Sequence, residues 1–165
     1  MDTINSFSAT FKYKGEFSFK KVYSSLTKYL KSQGYDSHEK NFTDLGNEIE
    51  VEVISERKVD ELALYIIETH LHFLDLKKIS EDLYSGRGKI SVKSKVVLGY
   101  EDVYGTHFLK NTNITKKLFK LYTDYIAKRE LKVKYGDKLY SEARTYVRTI
   151  KETLNMEVNK VLRDK

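Results

Sequence analysis

The sequence predicts an α+β protein in which an antiparallel sheet of about five strands is covered by helices on one face. Three stretches that alternate apolar and polar residues carry this prediction, at 48–53, 65–73 and 89–100. In the first of them, three β-branched residues alternate with three glutamates. Because successive side chains of a strand point to opposite faces, this alternation is typical of a strand buried on one side. Such half-buried sheets are usually antiparallel.

The predicted elements have the order β-α-β-β-β-β-α-α. The first strand runs from Phe7 to Lys14 and ends at a predicted turn, Gly15-Glu16. Ser18 is the expected N-cap of the first helix, because its hydroxyl accepts a bond from an otherwise unpaired amide. Apolar residues then recur at helical spacing from Phe19 to Leu30, and Gly34 is the expected left-handed residue that closes the helix.

Four further strands are predicted, at 35–42, 48–56, 62–75 and 89–100. Turn chemistry marks 44–47 and the segment Ser85-Gly86-Arg87-Gly88. The charged residues 57–61 are predicted to connect two strands, whereas the pattern at 77–84 is ambiguous.

Two long helices are predicted to end the chain. Asn111 to Asn113 offers caps for the first helix, whose apolar stripe runs from Ile114 to Ile126. Gly136 and Asp137 are expected to break or kink the pattern, and a second stripe runs from Leu139 to Val161. The chain shows no repeat or linker, so we expect a single domain over 1–165.

The composition narrows the possible functions. The 165 residues include no cysteine, which excludes disulfides, thiolate nucleophiles and cysteine-ligated metals. No stretch approaches the roughly 18 apolar residues that a membrane-spanning helix needs, and no signal-peptide pattern opens the sequence. We therefore expect a cytoplasmic protein with no membrane span and no cofactor.

Several segments resemble a small family of uncharacterised archaeal proteins. They are the opening Phe11-Lys12-Tyr13-Lys14-Gly15-Glu16-Phe17-Ser18-Phe19, the alternation at 48–53, the Val59-Asp60 pair and Asp137-Lys138-Leu139-Tyr140. The resemblance spans most of the chain and contains no catalytic signature. The His70-x-His72 pair is not part of the pattern.

The order of elements also resembles the START-like or helix-grip topology, in which a curved antiparallel sheet wraps a long C-terminal helix. Such folds often hold apolar ligands between sheet and helix, although a fold alone does not fix a function. A small apolar-ligand carrier is therefore one hypothesis. Its cavity would be lined by the aromatic residues of the inner sheet face, which are Phe11, Tyr13, Tyr65, Phe73 and Tyr100.

His70 and His72 are the candidate metal ligands. Two residues apart on one strand, they point to the same face, about 6.5 to 7 Å apart at the backbone. If the strands form a meander, Glu48, Glu50 and Glu52 share that face, and two imidazoles with a carboxylate suit a divalent cation. The alternative is a solvated face on which histidine and glutamate pair across strands, and this interpretation is favoured.

Basic residues gather toward the end of the chain. The net charge is +6, which divides into −2 for residues 1–109 and +8 for 110–165. A nucleic-acid backbone would use such a track, whereas a solvated lysine surface is the simpler explanation. The candidate contacts are Lys116, Lys117, Lys120, Arg144, Arg148 and Lys151.

Three hypotheses about function remain. The preferred one is a non-enzymatic binding or interaction module with a protein partner, because no nucleophile or phosphate loop stands out in the sequence. The second is the apolar-ligand carrier. The third is a polyanion binder that holds RNA or DNA on the C-terminal helices.

Overall fold

The computed structural model describes residues 2–60, 62–98, 117, 121 and 128–156. Five strands and three α-helices lie within these residues, and a π-helical turn at Lys132–Gly136 joins the last two helices. The elements in chain order are β1 (Asp2–Phe17), α1 (Phe19–Ser32), β2 (Asp36–Asp44), β3 (Ile49–Lys58), β4 (Ala63–Ser80), β5 (Leu83–Leu98), α2 (Lys128–Leu131) and α3 (Asp137–Thr153).

The five strands form one antiparallel sheet in the order β1-β5-β4-β3-β2. Burial alternates along β3 and β4, as the sequence pattern predicts. Ile67 and Val92 are among the fully buried side chains of the inner face, and they join one core with residues of α1 and α3 such as Leu30 and Ile150. The predicted α+β class and the helix-grip arrangement, a sheet packed on a C-terminal helix, are confirmed.

The predicted boundaries of α1 are confirmed by its caps. The Ser18 side chain accepts a hydrogen bond from the Lys21 amide at 3.2 Å. At the other end Gly34 has φ +79°, its amide bonds to the Lys31 carbonyl, and the Tyr35 amide bonds to the Leu30 carbonyl. This pair of bonds is the Schellman motif. It needs a left-handed residue, which glycine supplies without steric cost.

The C-terminal helical segment runs without interruption through Gly136, where the sequence predicts a break or kink. Gly136 keeps right-handed helical angles and lies at the end of the π-turn. Side chains from the sheet bond to this turn: the Tyr65 hydroxyl donates to the Tyr135 carbonyl at 2.9 Å, and Ser6 donates to the Gly136 carbonyl at 2.6 Å. The irregular turn is therefore stabilised by long-range bonds to β4 and β1.

Two predicted turns are wrong. Gly15 and Glu16 belong to β1, and Ser85 to Gly88 belong to β5, where Gly15 pairs with Gly86 and Tyr13 pairs with Gly88. A Cβ on Gly88 would lie 2.7 Å from the Phe73 ring. The glycine is thus required by close packing across the sheet and not by a reversal of the chain. The actual β4–β5 hairpin turns at Glu81-Asp82, inside the segment 77–84 whose sequence pattern is ambiguous.

The other strand boundaries differ from the prediction by a few residues. The predicted connector 57–61 begins inside β3, which continues to Lys58.

The predicted helix from Ile114 to Ile126 lies almost wholly outside the described residues, as do Val158 and Val161. Within the described part of the chain, no helix has both the length and the apolar character that crossing a bilayer requires.

Candidate functional site

A basic groove lies where α1, α3 and the tip of the β4–β5 hairpin meet, with a volume of about 1000 Å³. Lys20, Lys21 and Lys28 contribute three ammonium groups to its walls. Among the described residues that line it, Asp82 supplies the single carboxylate. The groove therefore presents a net positive charge to a ligand.

The amphipathic character of α1 positions these lysines. Val22, Leu26 and Leu30 are buried at helical spacing, so the opposite stripe of the helix faces outward. The helix carries four lysines and no acidic residue. Because no carboxylate of α1 neutralises them, the lysines keep their attraction for an anion.

Hydroxyl groups line the groove together with the lysines. Five serines and Thr149 line it. Ser25 and Thr153 bond to each other at 2.9 Å and join α1 to α3, whereas the Ser24 hydroxyl has no hydrogen-bond partner among the described residues. The Tyr29 hydroxyl donates to the Glu142 carbonyl at 3.2 Å, and burial, followed by the Glu142 carboxylate, raises the pKa of Tyr29.

The predicted basic residues of α3 do not line this groove. Arg144 and Arg148 are exposed one turn apart, and Arg148 lies 3.8 Å from Glu152. Lys151 lies over the Phe11 ring at 5.0 Å. It is about 200° around the helix from the groove residue Thr149, so it points away from the groove. Lys117 is exposed, and Lys116 and Lys120 lie outside the described residues.

Sequence reasoning missed the lysines of α1. A sum of charge over residues 1–109 hides this short basic helix, because the same segment contains 17 acidic residues. Summing charge over each predicted helix would have found it, since the 14 residues of α1 contain four lysines and no acidic residue.

Two of the predicted cavity residues are core residues. Tyr65 and Phe73 are fully buried, and Phe73 stacks on Phe17 with ring centroids 4.3 Å apart. Phe11 and Tyr13 are half-buried on β1, and Tyr100 lies outside the described residues. The described interior is thus occupied by side chains at these positions, and the apolar-ligand carrier stays a hypothesis that the packing does not favour.

His70 and His72 lie on the sheet face opposite the helices, as predicted. His70 Nε2 is 2.8 Å from Glu50 Oε1, and His72 Nε2 is 2.7 Å from Glu48 Oε1. In the described ranges, no cluster of three or more histidine, aspartate or glutamate side chains is placed to hold a metal ion. The observed contacts are the cross-strand pairs of the favoured alternative.

Comparisons with known proteins give only distant likenesses. No family model and no curated protein matches the chain. A TBP-like protein from Parabacteroides distasonis is 15% identical, with a TM-score of 0.24 over 83% of this chain and 92% of that one. The di-domain ARO/CYC StfQ from the steffimycin biosynthetic pathway is 7% identical, with a TM-score of 0.26 over 90% of this chain. The match spans 50% of StfQ. With TM-scores this low, neither likeness carries an argument about function.

Proposed function

We propose that this protein is a binding module that holds a nucleic-acid strand in the basic groove between α1, α3 and the β4–β5 hairpin. The observation that carries the proposal is the composition of the groove. Its lining contains three lysines and one carboxylate, and its volume is about 1000 Å³. Contacts to phosphate dominate the affinity of proteins for nucleic acids, and lysine side chains supply much of that attraction.

The hydroxyl groups of the groove support the same ligand. Serine and threonine side chains donate to phosphate oxygens and fix the position of a backbone. Ser24 has no competing partner among the described residues, so its hydroxyl is available to donate. A lining that combines ammonium and hydroxyl donors suits a chain of phosphates better than it suits an apolar ligand.

Fluorescence anisotropy of a labelled single-stranded RNA, measured at a series of salt concentrations, tests the proposal. Three lysine–phosphate contacts give a slope of log affinity against log salt of about −2. The double variant Lys21→Gln/Lys28→Gln removes two of them and should bring the slope close to about −1.

The matched control is Lys12→Gln/Lys14→Gln. Both residues are exposed on β1, on the sheet face opposite the helices, and the charge change is the same. The control should bind RNA like the parent protein. The absence of RNA binding at low salt, or an equal loss in both double variants, would reject the groove as a nucleic-acid site.

A further inference from the structure

The β4–β5 hairpin contributes one acidic residue to the basic groove. Ser80 pairs with Leu83 in the register of the two strands, so Glu81 and Asp82 are the two residues of the turn. Asp82 lines the groove together with Ser80 and Leu83, whereas Glu81 does not. Both acidic residues are exposed. The hairpin therefore brings one of its two carboxylates to the groove.

The pairing of β1 with β5 fixes where the tip of this hairpin lies. Phe17 pairs with Tyr84, and the centroids of their rings are 6.3 Å apart. Phe17 directly precedes Ser18, the N-cap of α1. The tip of the hairpin consequently lies beside the first turn of α1, where Lys20 and Lys21 line the same groove.

The Asp82 carboxylate forms no ion pair with any residue that the structure describes. Three lysines line the same groove, so that with Asp82 the lining has a formal charge of +2. Because like charges repel, the carboxylate opposes the binding of a phosphate. An ionised carboxylate accepts hydrogen bonds and donates none, so it contributes to binding only where the ligand supplies a donor.

RNA supplies such a donor in the ribose 2′-hydroxyl. Phosphodiester oxygens only accept hydrogen bonds, whereas the 2′-hydroxyl both donates and accepts, and it belongs to the same backbone. It is also the group by which a protein distinguishes RNA from DNA. Aspartate and glutamate side chains bind the ribose 2′-hydroxyl of NAD in dinucleotide-binding folds, so the pairing has a chemical precedent.

We propose that Asp82 selects RNA over DNA by accepting a hydrogen bond from a ribose 2′-hydroxyl. The inference rests on the proposed function, because the lysines of the groove hold the phosphates of the same strand. A hydrogen bond to an ionised acceptor is stronger than one between neutral groups. DNA lacks the hydroxyl, so it encounters the negative charge of Asp82 without a bond that offsets the repulsion.

Fluorescence anisotropy at low salt tests the inference with three labelled oligonucleotides of equal length. They are oligouridylate, its 2′-deoxy form and its 2′-O-methyl form, whose sugar keeps the oxygen but cannot donate. Bases also form hydrogen bonds with carboxylates, and the shared uracil keeps that contribution equal in all three. The parent protein should bind oligouridylate about tenfold more tightly than either modified strand, because one charge-assisted bond is lost in each of them.

Asp82→Ala should remove this preference, so that the RNA and its deoxy form bind about equally. The variant should also bind the deoxy form more tightly than the parent protein does, because a negative charge has left the groove. The matched control is Glu81→Ala, which removes the neighbouring carboxylate of the same exposed turn, outside the lining. It should keep the preference of the parent protein for RNA.

Four outcomes would overturn the role of Asp82. The parent protein could bind the RNA and its deoxy form equally, which would leave the groove as a nucleic-acid site without this selection. Equally tight binding of the 2′-O-methyl strand and the RNA would show that no donor is needed. A preference that survives in Asp82→Ala would assign the selection to another residue. An equal loss of preference in both variants would mean that the net charge of the turn governs it.

The same experiment separates this inference from the proposed function. If none of the three oligonucleotides binds, the proposed function fails and the inference fails with it. If all three bind and only the preference is missing, the inference alone is wrong.

Discussion

Arg57 at the end of β3 and Glu142 in α3 form an ion pair across 85 residues of sequence, with Arg57 Nη2 at 2.9 and 2.8 Å from the two carboxylate oxygens. A second guanidinium nitrogen donates to the Gln33 carbonyl at 2.6 Å, just beyond α1. The guanidinium also lies over the Tyr35 and Tyr65 rings, at 4.6 and 5.2 Å from their centroids. One side chain therefore joins the sheet to both helices that cover it.

The first prediction concerns this pair. Glu142→Gln should lower the free energy of unfolding by about 3 kcal/mol, because it leaves the Arg57 charge in place without its counter-charge. The two side chains are only 18% and 14% exposed, so water compensates little of the loss. Urea denaturation measures the change.

The control for Glu142→Gln is Glu152→Gln, whose partner Arg148 is 3.8 Å away. Both members of that pair are more than half exposed, and such surface pairs contribute at most about 1 kcal/mol. An equal cost for the two substitutions would show that the Arg57–Glu142 pair has no special role in stability.

The second prediction compares two glycines. Gly88→Ala should lower the free energy of unfolding by about 1–3 kcal/mol, because its new Cβ would lie 2.7 Å from the Phe73 ring. Gly136→Ala should instead raise it by about 0.5–1 kcal/mol, since alanine loses less entropy in a helix. The nearest atom to a Cβ at Gly136 is 3.5 Å away, an ordinary contact. Urea denaturation should show changes of opposite sign in the free energy of unfolding of the two variants. A stabilising Gly88→Ala would contradict the strand assignment at that position.

The third prediction compares two buried serines of the sheet. Ser94→Ala should raise the free energy of unfolding by about 1 kcal/mol, because it removes a buried hydroxyl that has no partner in the described part of the chain. Ser55→Ala should lower it by about 1 kcal/mol, since that hydroxyl bonds to the Ser37 hydroxyl at 2.7 Å. Both changes in the free energy of unfolding are measured by urea denaturation. A destabilising Ser94→Ala would mean that the hydroxyl is satisfied within the folded protein.

The fourth prediction concerns alkaline pH. Burial, followed by the Glu142 carboxylate, raises the pKa of Tyr65 to about 12. In the unfolded chain tyrosine titrates near a pH of about 10. Between these values the unfolded state releases a proton that the folded state retains, so stability is full below about pH 10 and falls as the pH rises toward about 12.

Tyr65→Phe removes this contribution. The variant is expected to be less stable than the parent at neutral pH, because its hydroxyl no longer donates to the Tyr135 carbonyl. The difference in the free energy of unfolding between the parent and the variant should stay constant from about pH 7 to 9. Above about pH 10 it should narrow by about 1 kcal/mol per pH unit. Urea denaturation across this range measures it, and a difference that stays constant up to about pH 12 would contradict the prediction.

Much of the architecture was predictable because it depends on local periodicity. The alternation at 48–53 identifies which side of β3 is buried, and Ser18 and Gly34 mark the ends of α1. The glycines at 86 and 88 are different, since glycine serves both chain reversal and close packing. Only the pairing of Gly88 beside Phe73 distinguishes the two uses.

The candidate sites were less predictable. His70 and His72 lie on the predicted solvated face with their glutamates, because alternation fixes the face of each residue. Their partners are diagonal: His72 stands opposite Glu50 in the register but contacts Glu48. Such a choice depends on rotamers, which the sequence pattern does not specify.

By itself the sequence determined the α+β class, the buried face of each long strand and the caps of α1, because these depend on spacings of a few residues along the chain. Only the tertiary structure decided that Arg57 contacts Glu142, that the lysines of α1 border a groove with α3 and the β4–β5 hairpin, and that the buried Ser94 hydroxyl has no partner among the described residues. The physical reason is that these features join segments far apart in sequence, and their geometry is set by strand register and helix packing, which local patterns do not record.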